Sequence, residues 1–447
     1  MNIAKYQEKL LDKAREAGFI EAEVYYEQNK SIRCMLYKGE IDSYETSEDG
    51  GLSLRGLYNG KMGYSYTEKL DDDSIPFLIN SAKANANILD EDEGIAIFDG
   101  SSEYPSYEYY NEELETIGIP EKIELLRSIE EKIRAYDSRI IALDYCFLQE
   151  YTAERSLVNS KNLALTHKEN GFVIFLSTVV KEGEEMKTGH YLKMTRDFHS
   201  LQADAIAKEA AEEALANLGE KSIPGGKYPI ILRSDASASL LETFMPILSA
   251  ENAQKDQSLL KGKVGQKVAS GAVTLLSTPF HPAALSGASF DGEGVATKEQ
   301  EIILEGTLQT LLHNRKTAKK DNCETTGHAH KDSYKGALTI APQILYISSG
   351  EKTLDRLIHS VSNGVFITQL SGLHSGTNTV TGDFSVAAKG FHIENGKIAS
   401  PVKQMTIAGN FFEFLHDIKE TSSELYFLPK GYGSSSLLVK ELSVTVE

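Results

Sequence analysis

The histidines are the residues of this chain best suited to binding a catalytic metal, and their spacing argues against one common design. None is followed by glutamate, and no two lie four or five residues apart. A catalytic zinc helix needs two imidazoles about one turn apart, beside a carboxylate that polarises the metal-bound water. The sequence therefore excludes such a helix. The histidines are His167, His190, His199, His281, His313, His328, His330, His359, His374, His392 and His416.

Cys323, His328 and His330 form the cluster that comes nearest to a metal site. In an extended segment His328 and His330 would point to the same side, as two ligands require. The surrounding segment, Asp321–Asp332, is polar, and its spacing matches no closed zinc site. We predict an exposed loop here, in which a bound metal would be adventitious or structural.

Two further groups of polar side chains fit structural roles better than catalysis. Asp291 and Glu293 lie in an Asp-Gly-Glu-Gly stretch typical of a turn, and nothing in the sequence brings Asp383 close to them. The serines at 434–436 follow Gly433 but lack the strand, sharp turn and helix that present a nucleophilic serine. We predict no catalytic residue in either group.

His374 lies between Gly372 and Gly376, where the backbone can adopt positive φ and approach another chain closely. One interpretation is the wall of a groove that receives a peptide strand or a partner chain. The other is a tight turn with a solvent-facing histidine. Both remain open from the sequence, since loops on rigid sheets often carry binding while turns also need glycine locally.

In the first half of the chain, segments with helical periodicity are interspersed with segments that have the two-residue pattern of strands. Helices are predicted over 1–18, Leu70–Ile88, Pro120–Tyr136 and Leu201–Leu218. Strands are predicted over Glu21–Gln28, Ser31–Tyr37, Glu40–Thr46, Leu52–Tyr58 and Lys61–Tyr66, with Gly50-Gly51 as a turn, and four more between Ile140 and Met194. This order favours an α+β fold over a parallel doubly wound sheet.

The stretch from Gly219 to Gly226 is the best domain boundary, because it contains Pro224-Gly225-Gly226. A chain of 447 residues exceeds the usual size of one core, so we predict two domains. These are an α+β domain over 1–219 and a β-rich domain over 226–447. In the second, we predict a strand over Tyr228–Leu232 and helices over Ala236–Leu248 (interrupted at Pro246), Leu354–Ser360 and near Ala408–Ile418.

A long acidic connection over 89–118 carries Tyr104, Tyr107, Tyr109 and Tyr110. Tyrosine combines a large contact area with a polar tip and is enriched at interfaces. The segment could cover a partner surface or a cavity mouth, or pack on its own domain. The tyrosine content favours the interface.

Composition excludes several classes of function. Lys and Arg number 46 against 65 Asp and Glu, which gives a formal net charge of −19 and opposes binding to nucleic-acid phosphates. The cysteines, Cys34, Cys146 and Cys323, are unpaired by spacing and fit a reducing compartment. No segment approaches the roughly 20 apolar residues of a membrane span, and the amphipathic start does not look like a signal peptide. We predict a cytoplasmic protein.

Several motifs, taken in order over nearly the whole chain, resemble the TldD/PmbA family, and within it the PmbA (TldE) branch. The motifs are Gly51-Leu52-Ser53-Leu54-Arg55, Phe290-Asp291-Gly292-Glu293-Gly294-Val295, Gly372-Leu373-His374-Ser375-Gly376-Thr377-Asn378, Val380-Thr381-Gly382-Asp383-Phe384-Ser385, Ile393-Glu394-Asn395-Gly396-Lys397 and Thr406-Ile407-Ala408-Gly409-Asn410. Each motif alone is weak, but their ordered sum is specific.

The resemblance implies a metallopeptidase fold without its metal site. TldD-type chains look like zinc peptidases with an HExxxH helix and a later cysteine ligand. The matching positions here are Glu242, Thr243 and Ile247, and the cysteine would fall near Gly431-Tyr432-Gly433, where none exists. Isoleucine cannot bind zinc, and Pro246 disrupts the helix. The resemblance therefore implies the non-catalytic branch.

We predict a non-catalytic, zinc-less subunit of a cytosolic TldD/TldE-type metallopeptidase complex that processes or degrades peptides and unfolded polypeptides. The expected partner is a TldD-type zinc peptidase chain, with a possible homodimer in isolation. No cofactor or metal is expected in this chain, and zinc only in the partner. We assign the peptide or partner surface to Gly372, His374, Gly376, Asn378 and Asp383. The alternatives are an autonomous metallopeptidase with an unrecognised site and a non-enzymatic binding modulator of DNA gyrase.

Overall fold

The first half of the chain forms a six-stranded antiparallel sheet with four helices, as seen in a computed structural model that describes residues 2–88 and 96–446. The strand order is β3-β2-β1-β4-β5-β6. The elements are α1 Ile3–Glu16, β1 Glu21–Tyr37, β2 Glu40–Tyr58, β3 Lys61–Thr67, α2 Ser74–Ile88, α3 Ile119–Tyr136, β4 Ile140–Asn159, β5 Ala164–Glu182, β6 Glu185–Thr195 and α4 Ala203–Leu215. Residues 89–95, the start of the predicted long connection, lie outside the described residues.

The strands of this sheet are longer and fewer than predicted. β1 and β2 are each continuous where two strands were expected, and 140–195 contains three strands instead of four. Gly50-Gly51 is not a turn, because both residues lie inside β2. A Cβ atom on Gly51 would lie 2.4 Å from the ring of Tyr334, so this glycine lets the second half of the chain approach the sheet.

The two faces of the sheet have different partners, as the two-residue period of a strand requires. Val24, Cys146 and Leu148 lie on one face and pack in the cores beneath the helices. Tyr25 and Leu157 lie on the other face and contact side chains of the second half of the chain, including Phe290 and Tyr334. This second face is the junction between the two halves.

The second half is dominated by an eleven-stranded mixed sheet in the described residues. β7 pairs with both β14 and β19, which closes β7, β14, β15, β17 and β19 into a ring of strands. The elements are β7 Gly226–Leu232, α5 Ser234–Phe244, α6 Ala250–Gln254, β8 Leu275–Thr278, β9 Gln300–Leu304, β10 Thr307–Leu308, α7 Arg315–Asp321, β11 Ala329–His330, β12 Thr339–Ile340, β13 Ile344–Ile347, α8 Leu354–His359, β14 Asn363–Ser371, β15 Asp383–Glu394, β16 Lys397–Pro401, β17 Met405–Asn410, α9 Phe411–Asp417, β18 Ile418–Phe427 and β19 Tyr432–Val446.

The α+β prediction and the interruption at Pro246 are confirmed, while the start of the last predicted helix was wrong. The α5 helix ends at Phe244 and is followed by a separate 3-10 turn over Met245–Leu248, because Pro246 has no N–H to continue the helix. The predicted helix near 408–418 begins only at Phe411, since 408–410 belong to β17. The division into domains at 219–226 stays a prediction. The first sheet ends at Thr195, and the second begins at Gly226.

The tyrosine-rich connection packs on the second half of its own chain, while its role in covering a partner surface stays a prediction. The Tyr104 hydroxyl donates to the Gly294 carbonyl at 2.8 Å, and the Tyr109 hydroxyl donates to the Pro279 carbonyl at 3.0 Å. Tyr107 stacks on Phe280 with 4.9 Å between ring centroids, although it stays 45% exposed. These contacts tie the connection to the second half of the molecule.

Across residues 2–88 and 96–446, no helix combines the length and the apolar character that a bilayer crossing demands.

Candidate ligand-binding cavity

A cavity of about 590 Å³ lies at the junction between the two halves of the chain, and we call it the junction cavity. Its walls are more polar than those of a typical small-molecule pocket, because charged side chains enter from several elements. The lining contains six side chains that are charged or carry an imidazole: Arg155, Glu169, Glu242, His330, Asp332 and Lys430.

The first sheet supplies one wall. Arg155 on β4 pairs in register with His167 on β5, and Ala153 pairs with Glu169. Because side chains two residues apart share a face, Arg155 and Glu169 lie on the same side of the sheet. That is the face turned toward the second half of the chain.

The segment containing Ser286 and Gly287 forms another wall and is held by Arg196 at the end of β6. The guanidinium of Arg196 donates to the carbonyl oxygens of Ala284 at 2.7 Å and Leu285 at 2.5 Å. Charged donors make strong hydrogen bonds to carbonyl groups. The first sheet therefore fixes this loop although it belongs to the second half of the chain.

The connection from β18 to β19 brings Lys430 and Tyr432 to the cavity. Gly431 between them has φ 84°, in the left-handed region. A Cβ at this position would lie 2.3 Å from Ser286 Oγ, so only glycine fits. Burial, with the carboxylates of Glu242 and Asp332 nearby, raises the pKa of Tyr432, which is therefore a neutral hydrogen-bonding group.

The positions that resemble a zinc helix do not converge on this cavity. Glu242 faces it from the end of α5 and forms an ion pair with Lys430, with Nζ 3.2 Å from Oε1. Thr243 donates from Oγ1 to the Ser239 carbonyl at 2.8 Å. Ile247 is 2% exposed and lies in the main apolar core of the second half.

The donor set at these positions does not suit zinc. Zinc sites use imidazole, thiolate or carboxylate ligands, and Glu242 is the only such side chain among Glu242, Thr243 and Ile247. The Lys430 ammonium already lies against that carboxylate. Lys430 adjoins the stretch that the family resemblance aligns with a cysteine ligand, so the two segments that the resemblance compares with metal ligands meet in space through an ion pair.

The Cys323, His328 and His330 cluster is dispersed. Cys323 Sγ lies 3.8 Å from His313 Nε2, whereas His330 pairs with Asp332 at 3.0 Å and lines the junction cavity. His328 is 3% exposed, so the prediction of an exposed loop was wrong for this residue. Within residues 2–88 and 96–446, no three His, Cys, Asp or Glu side chains come together to hold a metal ion.

The segment over 372–383, predicted as a peptide or partner surface, is absent from the lining of the junction cavity. Asn378 and Asp383 use their side chains inside the loop: Asn378 Oδ1 accepts from the Val380 N–H at 2.9 Å, and Asp383 Oδ1 accepts from Asn410 at 2.9 Å. Hydrogen bonds from Asn410 and Thr381 lower the pKa of Asp383. The turn around exposed His374 remains a predicted surface, separate from the cavity.

Sequence reasoning missed most of the residues that line the cavity. Arg155 and Glu169 lie in strands whose alternation shows the face but not what covers it. Lys430 had one available signal, because it adjoins the Gly431-Tyr432-Gly433 stretch that resembles the late-ligand region. Asp332 was predicted only as the end of a polar loop, and Glu242 only as a position that resembles a zinc ligand. The convergence itself has no local signature.

Sequence comparison matches three domains of one family along the chain. The PmbA/TldA metallopeptidase domain 1 matches residues 22–86, the central domain matches 112–218 and the C-terminal domain matches 225–446. Among relatives, an uncharacterised protein of Methanocaldococcus jannaschii is 27% identical over 92% of this chain and 93% of its own length. A protein of Haemophilus influenzae named metalloprotease PmbA homolog is 24% identical over 92% of this chain and 89% of its own.

Two solved structures share the fold. A Thermotoga maritima protein, whose suggested role is to modulate a DNA gyrase, superposes with a TM-score of 0.92 and 31% identity, covering 99% of this chain and 100% of its own. TldE from Thermococcus kodakarensis superposes with a TM-score of 0.90 and 23% identity, covering 98% of this chain and 100% of its own. The second likeness is one of fold alone.

Proposed function

Because this chain belongs to the PmbA/TldD family of metallopeptidases, we propose that it is the non-catalytic subunit of a two-chain peptidase. Its relatives include chains named metalloprotease PmbA and metalloprotease TldD, so membership of the family alone does not assign catalysis. Function resides in sites and not in folds. The assignment therefore depends on the residues at the metal-site positions.

The observation that carries the proposal is the ion pair between Glu242 and Lys430. A zinc peptidase needs a divalent cation that lowers the pKa of bound water and polarises the scissile carbonyl. At the corresponding place this chain has an ammonium group against a carboxylate, and Ile247 is turned into the core. An ammonium–carboxylate pair offers no open coordination position, so hydrolysis has to be supplied by another chain.

The junction cavity supports a role in holding peptides. β12, over Thr339–Ile340, contributes to its lining and pairs with only one strand, β11, in the described residues. An extended peptide can add to a strand edge through main-chain hydrogen bonds, with side chains entering alternate pockets. In this proposal the chain presents peptides or unfolded polypeptides to the active partner.

We infer that the partner is a TldD-type chain with a zinc-binding HExxxH helix, and that the complex works in the cytosol. Zinc then belongs to the partner, and this chain shapes the chamber. Its large negative charge fits a cytosolic protein with peptide ligands better than a role on nucleic acid. In the absence of the partner, two copies of this chain could associate through the same surface.

Coexpression with a TldD-type chain tests the proposal. We expect a stable complex of the two chains, zinc in proportion to the partner alone, and peptide cleavage that neither isolated chain shows. The control is a partner whose HExxxH glutamate is changed to glutamine, which should assemble but not cleave.

Elemental analysis and cleavage assays on the isolated chain test the alternative that it is an autonomous peptidase. Stoichiometric zinc together with cleavage by this chain alone would favour an autonomous peptidase and overturn the subunit assignment. Recovery of a DNA gyrase subunit, with no association to a TldD-type chain, would support the modulator alternative.

A further inference from the structure

Arg155 is the cation of the junction cavity that forms no ion pair among the described residues. Lys430, the other cation, pairs with Glu242 at 3.2 Å. Asp332 lies 3.0 Å from His330 and Glu169 lies 3.1 Å from His167, but burial lowers the pKa of both imidazoles, so these contacts are hydrogen bonds to neutral rings. Among the residues that the structure describes, no carboxylate forms an ion pair with Arg155. Arg155 is therefore a cation with no ion-pair partner of its own in a cavity that also contains carboxylates.

The neighbours of Arg155 in the sheet do not neutralise it. Glu27 is directly opposite Arg155 in the β1–β4 register, but its oxygens accept from Asn29 Nδ2 at 2.9 Å and from the Tyr25 hydroxyl at 3.4 Å. On the other side, His167 is bound to Glu169. The guanidinium instead lies over the Phe290 ring, 5.7 Å from its centroid, which supports its position without supplying a negative charge.

Two donors in the cavity also lack an acceptor. Arg155 Nε is buried without a hydrogen-bond partner, and so is Ser286 Oγ. Both residues line the junction cavity. Buried donors are nearly always satisfied, and an unsatisfied pair in one cavity points to a ligand that accepts hydrogen bonds.

We propose that the junction cavity binds a carboxylate group of a peptide, with Arg155 as its principal binding residue and Ser286 as a second donor. A planar guanidinium matches a carboxylate with two parallel hydrogen bonds, and no carboxylate of the described chain holds that position at Arg155. The peptide nature of the ligand rests on the proposed function. The preference for a carboxylate rests on the cavity itself.

The remaining charges of the cavity argue for this ligand over a polyanion. Glu169, Glu242 and Asp332 line the same space, so a phosphate with two negative charges would meet three carboxylates and only one free cation. A carboxylate brings half that charge to Arg155 and meets correspondingly less repulsion from the three carboxylates. It can come from the C-terminus of a peptide or from an aspartate or glutamate side chain.

Binding of unlabelled, N-acetylated alanine pentapeptides to the full-length isolated chain tests the proposal by isothermal titration calorimetry. The three probes are the free acid, the C-terminal amide, and an amide with a central glutamate. We expect the free acid or the glutamate peptide to bind at least about tenfold more tightly than the neutral amide. Whichever of the two binds identifies the source of the carboxylate.

Substitution of Arg155 separates a binding role from a structural one. We expect Arg155→Gln to abolish the preference for the charged peptide, and Arg155→Lys to restore part of it because the charge remains while the fork is lost. Arg33→Gln is the matched control. Its guanidinium also lies over an aromatic ring, 4.0 Å from the centroid of Phe147, but on β1 and outside the cavity lining. It should leave the preference unchanged.

Equal affinity for the acid and amide peptides, or a preference that survives Arg155→Gln in a folded protein, would overturn the carboxylate site. Unfolding curves of the variants check that they fold. The outcome is separable from that of the proposed function. A chain that assembles with its TldD-type partner but shows no carboxylate preference refutes only this inference, and one that binds carboxylate peptides without assembling refutes only the subunit assignment.

Discussion

His328 is a buried histidine whose two ring nitrogens are both satisfied by hydroxyl groups. Nε2 lies 2.9 Å from Ser277 Oγ, and Nδ1 lies 2.7 Å from Thr326 Oγ1. One of the two hydroxyls can donate to the unprotonated ring nitrogen while the other accepts from the ring N–H, so the arrangement suits a neutral ring. Burial, aided by the proximity of His313, lowers the pKa of His328 to about 3.

This shift predicts a specific loss of stability in acid. In the unfolded chain a histidine titrates near pH 6.5, so between about pH 6.5 and 3 the unfolded state binds a proton that the folded state refuses. The contribution of His328 to stability is therefore complete above pH 6.5 and is lost as the pH falls toward 3, at up to about 1.4 kcal/mol per pH unit. Denaturant unfolding of the wild type and His328→Gln between pH 7 and 4 measures it.

We expect the advantage of the wild type over His328→Gln to shrink steadily as the pH falls through this range. His374→Gln is the control, since His374 is exposed and the substitution should leave the pH dependence as it was. A difference in unfolding free energy between wild type and His328→Gln that does not change with pH would mean that His328 binds its proton at the same pH in the folded and the unfolded chain.

At the scale of elements, the connection between β18 and β19 determines how the cavity wall is built. The Gly431 N–H donates to the Leu428 carbonyl at 2.9 Å, and the Leu428 N–H donates to the Tyr432 carbonyl at 2.8 Å. This tight turn places Lys430 at the cavity while Tyr432 enters β19. It requires positive φ at Gly431, and it lies against Ser286.

Gly431→Ala should destabilise the protein by about 1–3 kcal/mol, because alanine is strained at positive φ and its Cβ would collide with Ser286 Oγ and the Gln343 carbonyl. Chemical denaturation measures the loss. Gly39→Ala is the matched control: Gly39 has φ 80°, but no heavy atom lies within 4 Å of an added Cβ. A loss equal to that of the control would show that the contact with Ser286 is easily relieved.

At the scale of the whole molecule, a buried network of charges joins the two halves. Arg55 on β2 lies 3.2 Å from Glu23 and 3.9 Å from Glu293, which belongs to the second half. Glu293 also accepts from the Arg315 N–H at 2.9 Å. Because Glu23 and Glu293 are each 2% exposed, the network has little access to water.

Glu293→Ala should cost about 1–3 kcal/mol, because Arg55 loses one of its carboxylates and the Arg315 N–H loses its acceptor. The exposed pair of Glu68 and Lys335, 2.6 Å apart, provides the comparison: Glu68→Ala should cost much less, because water screens an exposed ion pair. Urea unfolding followed by tyrosine fluorescence measures both. Similar small losses would indicate that water reaches the junction and that the two halves are less tightly coupled than the contacts suggest.

Local signals were sufficient wherever one segment determines its own structure. The apolar stripe of residues 120–136 predicted α3 to within one residue, and α1 was predicted over 1–18 where Ile3–Glu16 is observed. The α+β class and the family followed from the order of such segments and motifs. The turn predicted at Gly50-Gly51 was wrong, because both residues lie inside β2 and Gly51 leaves room for the ring of Tyr334.

By itself, the sequence determined the four helices of the first half, the α+β class, the family and the lack of a paired-histidine zinc helix, because each depends on residue identity over short spacings. Only the tertiary structure decided which side chains surround the junction cavity. Arg155, Glu242 and Lys430 come from three distant segments, and their proximity depends on how the first sheet packs against the second half. Such long-range packing leaves no periodicity in any one segment, and so neither the Glu242–Lys430 ion pair nor the unpaired charge of Arg155 could be foreseen.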